Sequence, residues 1–129
     1  MDIGFIGFGL IGGSIAKGLK KVHPEYRIIA TSRSKAPLYE AQKHGVVDVV
    51  APEVDNSFKN CDYIFLCTPV ITITQYLLAL KNVINPECII TDVGSVKGYI
   101  HQAVHDAGLD RQFIGGHPMA GSERSGFNN

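Results

Sequence analysis

A short apolar run, Asp2-Ile3-Gly4-Phe5-Ile6, passes directly into Gly7-Phe8-Gly9-Leu10-Ile11-Gly12. The run reads as a buried strand over Asp2–Gly7. Leu10–Lys21 then reads as a helix, with Ile11, Ile15, Leu19 and Val22 on one face at spacings of four, four and three. Few folds are open to a strand that turns through G-x-G-x-x-G into a helix. Gly7 permits the tight turn. Gly9 leaves no side chain to hold a pyrophosphate off the backbone, and Gly12 lets the helix pack close to the sheet. The free N–H groups and partial positive charge of the helix start favour phosphate there, next to the backbone of Leu10 and Ile11. Gly13 and Ser14 are small where close approach is needed. The plainer alternative is a glycine-rich turn that only packs a helix.

The rest of the chain repeats the alternation. Arg27–Thr31 reads as a strand and Ala36–His44 as a short helix closed by Gly45. Val46–Val50 is a weaker strand. Tyr63–Cys67 is apolar throughout, as a strand covered on both faces should be. Thr72–Ile84 is a helix with Ile73, Leu77, Leu80 and Ile84 on one side. Cys88–Thr91 is a fifth strand. Val96–Ala107 is a helix with Val96, Ile100, Ala103 and Ala107 aligned, closed by Gly108, and Gln112–Gly115 is a sixth strand. Strand alternating with helix predicts an α/β fold, a doubly wound parallel sheet of about six strands with helices on both faces. Ligands bind such sheets at the carboxyl ends of the strands, near the switch in strand order.

Composition narrows the class. A length of 129 residues with 45% hydrophobic content is one domain, able to bury roughly two-thirds of its unfolded surface. Twelve basic and twelve acidic residues cancel, so no charge excess points to nucleic acid. The three cysteines, Cys61, Cys67 and Cys88, fit no zinc spacing and read as buried reduced thiols of a cytoplasmic protein; no metal is expected. The N-terminal segment carries Asp2, lacks a cationic start and is interrupted by glycines, so it does not read as a targeting segment. The apolar stretch from Tyr63 to Ile73 is too short to span a bilayer.

Function is therefore sought just after each strand. After the second, Thr31-Ser32-Arg33-Ser34-Lys35 stands where NAD sites usually place an acid for the ribose 2′-hydroxyl. Hydroxyls with Arg33 and Lys35 suit a 2′-phosphate instead, which leans to NADP over NAD. After the fourth, Cys67-Thr68-Pro69 leaves towards the same crevice, rigidified by Pro69, with Thr68 able to hydrogen-bond a cofactor or simply to form a turn. After the fifth, Asp92 or Ser95 of Thr91–Lys97 could cap the next helix, and Ser95 could face a nicotinamide or substrate. After the sixth, Gly115-Gly116-His117-Pro118 pins a histidine in an unusual place for a structural one. Its pKa range suits accepting a proton from an alcohol being oxidised. His23, His44, His101 and His105 fall on helices or surface loops.

Together the motifs resemble one family. Gly7–Ser14 (GFGLIGGS), Thr91–Lys97 (TDVGSVK) and above all Gly115–Gly126 (GGHPMAGSERSG) are similar to prephenate dehydrogenase, with arogenate dehydrogenase as the close sister. The resemblance implies an N-terminal Rossmann domain over residues 1–129, followed in the family by a helical dimerisation domain. It implies oxidative decarboxylation of prephenate to 4-hydroxyphenylpyruvate, in tyrosine biosynthesis. His117 would draw off the ring-hydroxyl proton, Ser95 would stand near both, and Ser122 and Glu123 would lie at the substrate pocket. The chain stops at Asn129, so the expectation is a fragment or isolated domain that binds cofactor and is poor or inactive in catalysis. The parent enzyme would be a homodimer acting on a small-molecule substrate, without nucleic-acid or membrane partners. Rival readings are a non-catalytic dinucleotide-binding module and a dehydrogenase of another small hydroxy or imino acid.

Overall fold

The computed structural model describes residues 1–68, 72–93 and 97–114. Among them the strands are β1 Asp2–Ile6, β2 Arg27–Thr31, β3 Val49–Val50, β4 Tyr63–Leu66, β5 Ile89–Asp92 and β6 Phe113–Ile114. The helices are α1 Leu10–Val22, α2 Ala36–Lys43, α3 Ile73–Lys81 and α4 Lys97–Asp106. The sheet order is β3-β2-β1-β4-β5-β6, and every described pairing is parallel. The chain lays β2 and β3 to one side of β1, then crosses to place β4 on the other. The switch in strand order therefore lies between β1 and β4, and the binding crevice opens at their carboxyl ends.

Side-chain alternation explains why both faces are covered. Ile3 and Phe5 of β1 join Ile28 and Ala30 of β2 in a cluster with Ala16 of α1 and Leu38 of α2. Ile6, Ile29, Ile64, Leu66 and Ile90 point the other way, into a cluster with Ile73, Leu77 and Leu80 of α3 and Ala103 and Val104 of α4. Strand residues have period two, so a strand apolar at every position needs a helix layer on each side. Gly4 is small for a specific reason: a Cβ there would stand 2.9 Å from Phe58 Cδ1 and 3.1 Å from Cys61 Sγ.

Several elements differ from the periodicity reading. In α1 the sheet-facing residues are Gly12 and Ala16, flanked by half-buried Ile15 and Leu19; Ile11 is 56% exposed and Val22 71%. The helix lies so close to the sheet that only small residues fit beneath it, which turns the outer isoleucine and valine to solvent. The third strand is two residues rather than five. The N–H groups of Val46 and Val47 both donate to the Ala41 carbonyl, closing α2 behind Gly45 at φ 77°, and are lost to the ladder. α3 ends at Lys81, where Val83 and Ile84 both donate to the Leu80 carbonyl. In α4, Val104 is buried beside Ala103 and Ala107, so the inward face is one residue wider than expected. Gly108 closes α4 at φ 73°, as its position predicted. Gln112 precedes β6 in a 3-10 turn and pins that edge, its Nε2 donating to the carbonyls of Asn85 and Cys88 at 3.0 and 2.9 Å.

The thiols are free, as expected. Cys61 and Cys88 are buried, whereas Cys67 is only partly so. Among the described residues no helix is long and apolar enough to cross a membrane, and no group of metal-ligating side chains assembles.

Candidate nucleotide-binding site

The site grows out of the β1 exit. Gly7 has φ 86°, a left-handed conformation that glycine adopts without strain. Its N–H donates to the Thr31 carbonyl at 2.8 Å, so the turn remains tied to β2. A Cβ on Gly7 would lie 2.8 Å from both the Cys67 carbonyl oxygen and Thr68 Cγ2. The turn and the β4 exit are thus packed backbone to backbone. Phe8 is clamped from below by Phe5, edge to face with ring centroids 5.9 Å apart, and Phe5 stacks on Phe65 at 5.2 Å. An aromatic between two glycines anchors the turn to the core; sequence reading missed this role.

Gly9 and Gly12 divide the remaining work. Gly9 is the N-cap of α1, and no side chain caps the helix. A Cβ added at Gly9 would meet nothing within 4 Å. The first turn carries no acidic residue, and Leu10 is 92% exposed. The helix start therefore presents bare N–H groups and its positive dipole end to open space, an arrangement suited to an anion. Gly12 is buried instead, and a Cβ there would sit 3.3 Å from Cys67 Sγ and from the Gly7 carbonyl oxygen. It is the close-packing glycine the motif calls for.

The β4 exit faces the same opening. Cys67 N–H donates to the Ile6 carbonyl at 2.7 Å, which fixes the two strand ends side by side. Thr68 Oγ1 is buried and has no hydrogen-bond partner among the described residues. A buried hydroxyl without a partner is costly, so it marks a place where a ligand atom would be welcome. Burial, with the Asp92 carboxylate adding to it, pushes the Cys67 thiol up to about 12. At neutral pH the sulfur beside the turn is a protonated spacer, not a nucleophile. Asp92 itself ends β5, paired with Leu66, and is buried.

The β2 exit carries the charge. Ser32 is half-buried and Arg33 exposed, without an ion pair among the described residues. Lys35 Nζ donates to the Ser32 carbonyl across the loop. A groove of about 850 Å³ also runs between α1 and α2, lined in part by Phe8, Leu10, Lys17, Pro37 and His44. Its walls come from the two helices and the turn, not from the strand exits. Pro69, Ser95, His117, Ser122 and Glu123 lie outside the described residues. The structure thus brings together Gly7, Gly9, Leu10, Ile11, Gly12 and Thr68, with Ser32 and Arg33 at the next strand exit.

A dinucleotide fits these residues: the bare helix start and open Gly9 suit its pyrophosphate, and Thr68, with its orphaned hydroxyl, packs against Gly7 of the same turn. Fold and site define a nucleotide-binding Rossmann-type domain. The chain belongs to the prephenate dehydrogenase nucleotide-binding domain family, whose model matches residues 15–129. That match begins within α1, beyond the glycine turn, and spans the later strand exits. A prephenate dehydrogenase of Lactococcus lactis is 39% identical over 124 residues, covering 94% of this chain and 34% of the relative. Among solved structures, Synechocystis arogenate dehydrogenase aligns with a TM-score of 0.81 at 36% identity, over 95% of this chain and 42% of that one. Prephenate dehydrogenase from A. aeolicus, in complex with hydroxyphenyl propionate and NAD+, aligns at 0.84 and 28% identity, over 96% and 43%. The chain spans about a third of the length of that curated relative.

Proposed function

We propose that this chain is the cofactor half of a dehydrogenase that oxidatively decarboxylates prephenate to 4-hydroxyphenylpyruvate, with NADP preferred over NAD. The observation that carries the reading is the family match across residues 15–129, which includes the fifth and sixth strand exits. The bound nicotinamide would supply the hydride acceptor. The chain's own work is to orient and to move a proton. Gly9 and the N–H groups of Leu10 and Ile11 hold the pyrophosphate, Gly7 and Gly12 keep the turn tight, and Thr68 with Pro69 lines the crevice. Ser32 and Arg33 face the ribose 2′-position. His117 takes the hydrogen bond of the ring hydroxyl and draws off its proton, and Ser95 orients the pair. Carbon dioxide leaves as the ring becomes aromatic, which makes the step effectively irreversible. Ser122 and Glu123 lie at the substrate pocket. A helical domain beyond these residues would complete that pocket and the homodimer. Tyrosine biosynthesis in the cytoplasm is the setting this reaction implies.

Arogenate is the second substrate reading, favoured by the 36% identity to an arogenate dehydrogenase. Calorimetric titration with NADPH and, separately, NADH tests the cofactor reading. Tighter NADPH supports it; tighter NADH removes the preference, and binding of neither removes the site assignments. In a protein of the relatives' full length, His117→Asn should abolish turnover and leave cofactor affinity unchanged. Surviving turnover would remove the catalytic assignment and favour a non-catalytic binding module.

A further inference from the structure

We infer that Lys35 is a positioning residue for Arg33: it staples the loop between β2 and α2, so that of the two cations it is Arg33 that reads the 2′-phosphate. The inference rests on the cofactor reading above. It also changes that reading, because the sequence offered Lys35 as a second phosphate ligand.

The loop is short. β2 ends at Thr31 and α2 begins at Ala36, leaving residues 32–35 to turn the chain. Lys35 is engaged at both ends. Its carbonyl accepts the Tyr39 N–H at 3.0 Å, the first bond of α2. Its ammonium reaches back three residues to the Ser32 carbonyl, and the side chain is half-buried in doing so. Pro37 stiffens the start of α2 on one side, and the Gly7–Thr31 bond holds the strand end on the other. Within residues 32–35 Arg33 and Ser34 are exposed, while Ser32 and Lys35 are half-buried.

This arrangement divides two cations by chemistry. A lysine ammonium is a compact point charge that serves one carbonyl well. A guanidinium is a planar fork that can grip a phosphate with two parallel hydrogen bonds. The fork is most effective when the backbone beneath it is already ordered, since less freedom is then lost on binding. NADH offers a hydroxyl at that place and repays little of the ordering of Arg33. The staple should therefore matter for NADPH and be nearly silent for NADH.

The test is a set of dissociation constants for NADPH and NADH in the wild-type chain, Lys35→Met, Lys35→Arg, Arg33→Ala and the Arg33→Ala/Lys35→Met double variant. Lys35→Met should reduce the preference for NADPH by about fivefold, roughly the effect of one hydrogen bond, with NADH affinity within about twofold of wild type. Lys35→Arg, which keeps a donor at the same reach, should restore most of the preference. In the Arg33→Ala background the lysine change should add nothing. If the two changes add, Lys35 touches the phosphate itself and the inference is overturned. Equal weakening of both cofactors would make the lysine a general support and overturn it as well. A wild-type chain that favours NADH, or binds neither, overturns the cofactor reading and this inference together. A wild-type NADPH preference untouched by Lys35→Met overturns the inference alone.

Discussion

Two glycines of one turn should fail in different ways when each becomes alanine. At Gly7 the backbone has φ 86°, which costs an L-residue about 1–2 kcal/mol. The new Cβ would also stand 2.8 Å from the Cys67 carbonyl oxygen and 2.9 Å from its carbon, and backbone atoms cannot swing aside. Such overpacking adds about 1–3 kcal/mol. Gly7→Ala should thus lose about 2–5 kcal/mol, a large part of the ~5–15 kcal/mol that holds a domain together. With a urea slope near ~2 kcal/mol per molar, the unfolding midpoint should fall by about 1–2.5 M. At Gly9 the backbone has φ −84°, and a Cβ meets no protein atom within 4 Å. Gly9→Ala should therefore keep the midpoint within about 0.5 M, the loss expected for a weaker N-cap. Its methyl would occupy the space a pyrophosphate needs, and dinucleotide affinity should fall by more than about tenfold. Urea melts followed by circular dichroism and calorimetric titration with NADPH separate the two effects. A Gly7→Ala chain as stable as wild type would refute the packing argument. A Gly9→Ala chain that binds normally would refute the placement of the phosphate.

Other consequences are open to similar checks. Thr68→Val removes a buried hydroxyl that has no partner among the described residues, so stability should rise by up to about 1–3 kcal/mol while cofactor affinity falls; a loss of stability would contradict the orphaned state. Burial raises all three thiols to about 12 from an ordinary value near 9. The unfolded thiols ionise first, so this contribution is complete below about pH 9 and is lost as pH rises towards 12. Urea midpoints at pH 8 and 10.5 should show that fall, and Cys61→Ala, at a fully buried position, should make it smaller. Leu77, fully buried between α3 and the sheet, should cost about 2–5 kcal/mol when truncated to alanine, measured by the same melts.

Much of this protein is written locally in its sequence. The glycine spacing at Gly7, Gly9 and Gly12 specifies a strand-turn-helix, because each glycine answers a steric demand within a few residues of itself. The apolar runs of β1, β2, β4 and β5 announce a sheet covered on both faces, because a two-residue period with no polar side leaves no other placement. Gly45 and Gly108 mark helix ends for the same local reason.

Other properties depend on residues far apart in the chain. That β4 lies beside β1, and so creates the crevice, is a property of the crossover and not of either strand. Periodicity could not assign the inner face of α1, because the sheet approaches closely enough to admit only Gly12 and Ala16. The sequence left Thr68 open between a cofactor ligand and a turn residue; the fold buries its hydroxyl without a partner among the described residues. Lys35 and Arg33 are two cations of one loop in the sequence; only the folded loop gives one to a backbone carbonyl and leaves the other to solvent. Local sterics are set by neighbours in sequence and can be read there. Contact, burial and the satisfaction of polar groups are set by neighbours in space, and those only the tertiary structure supplies.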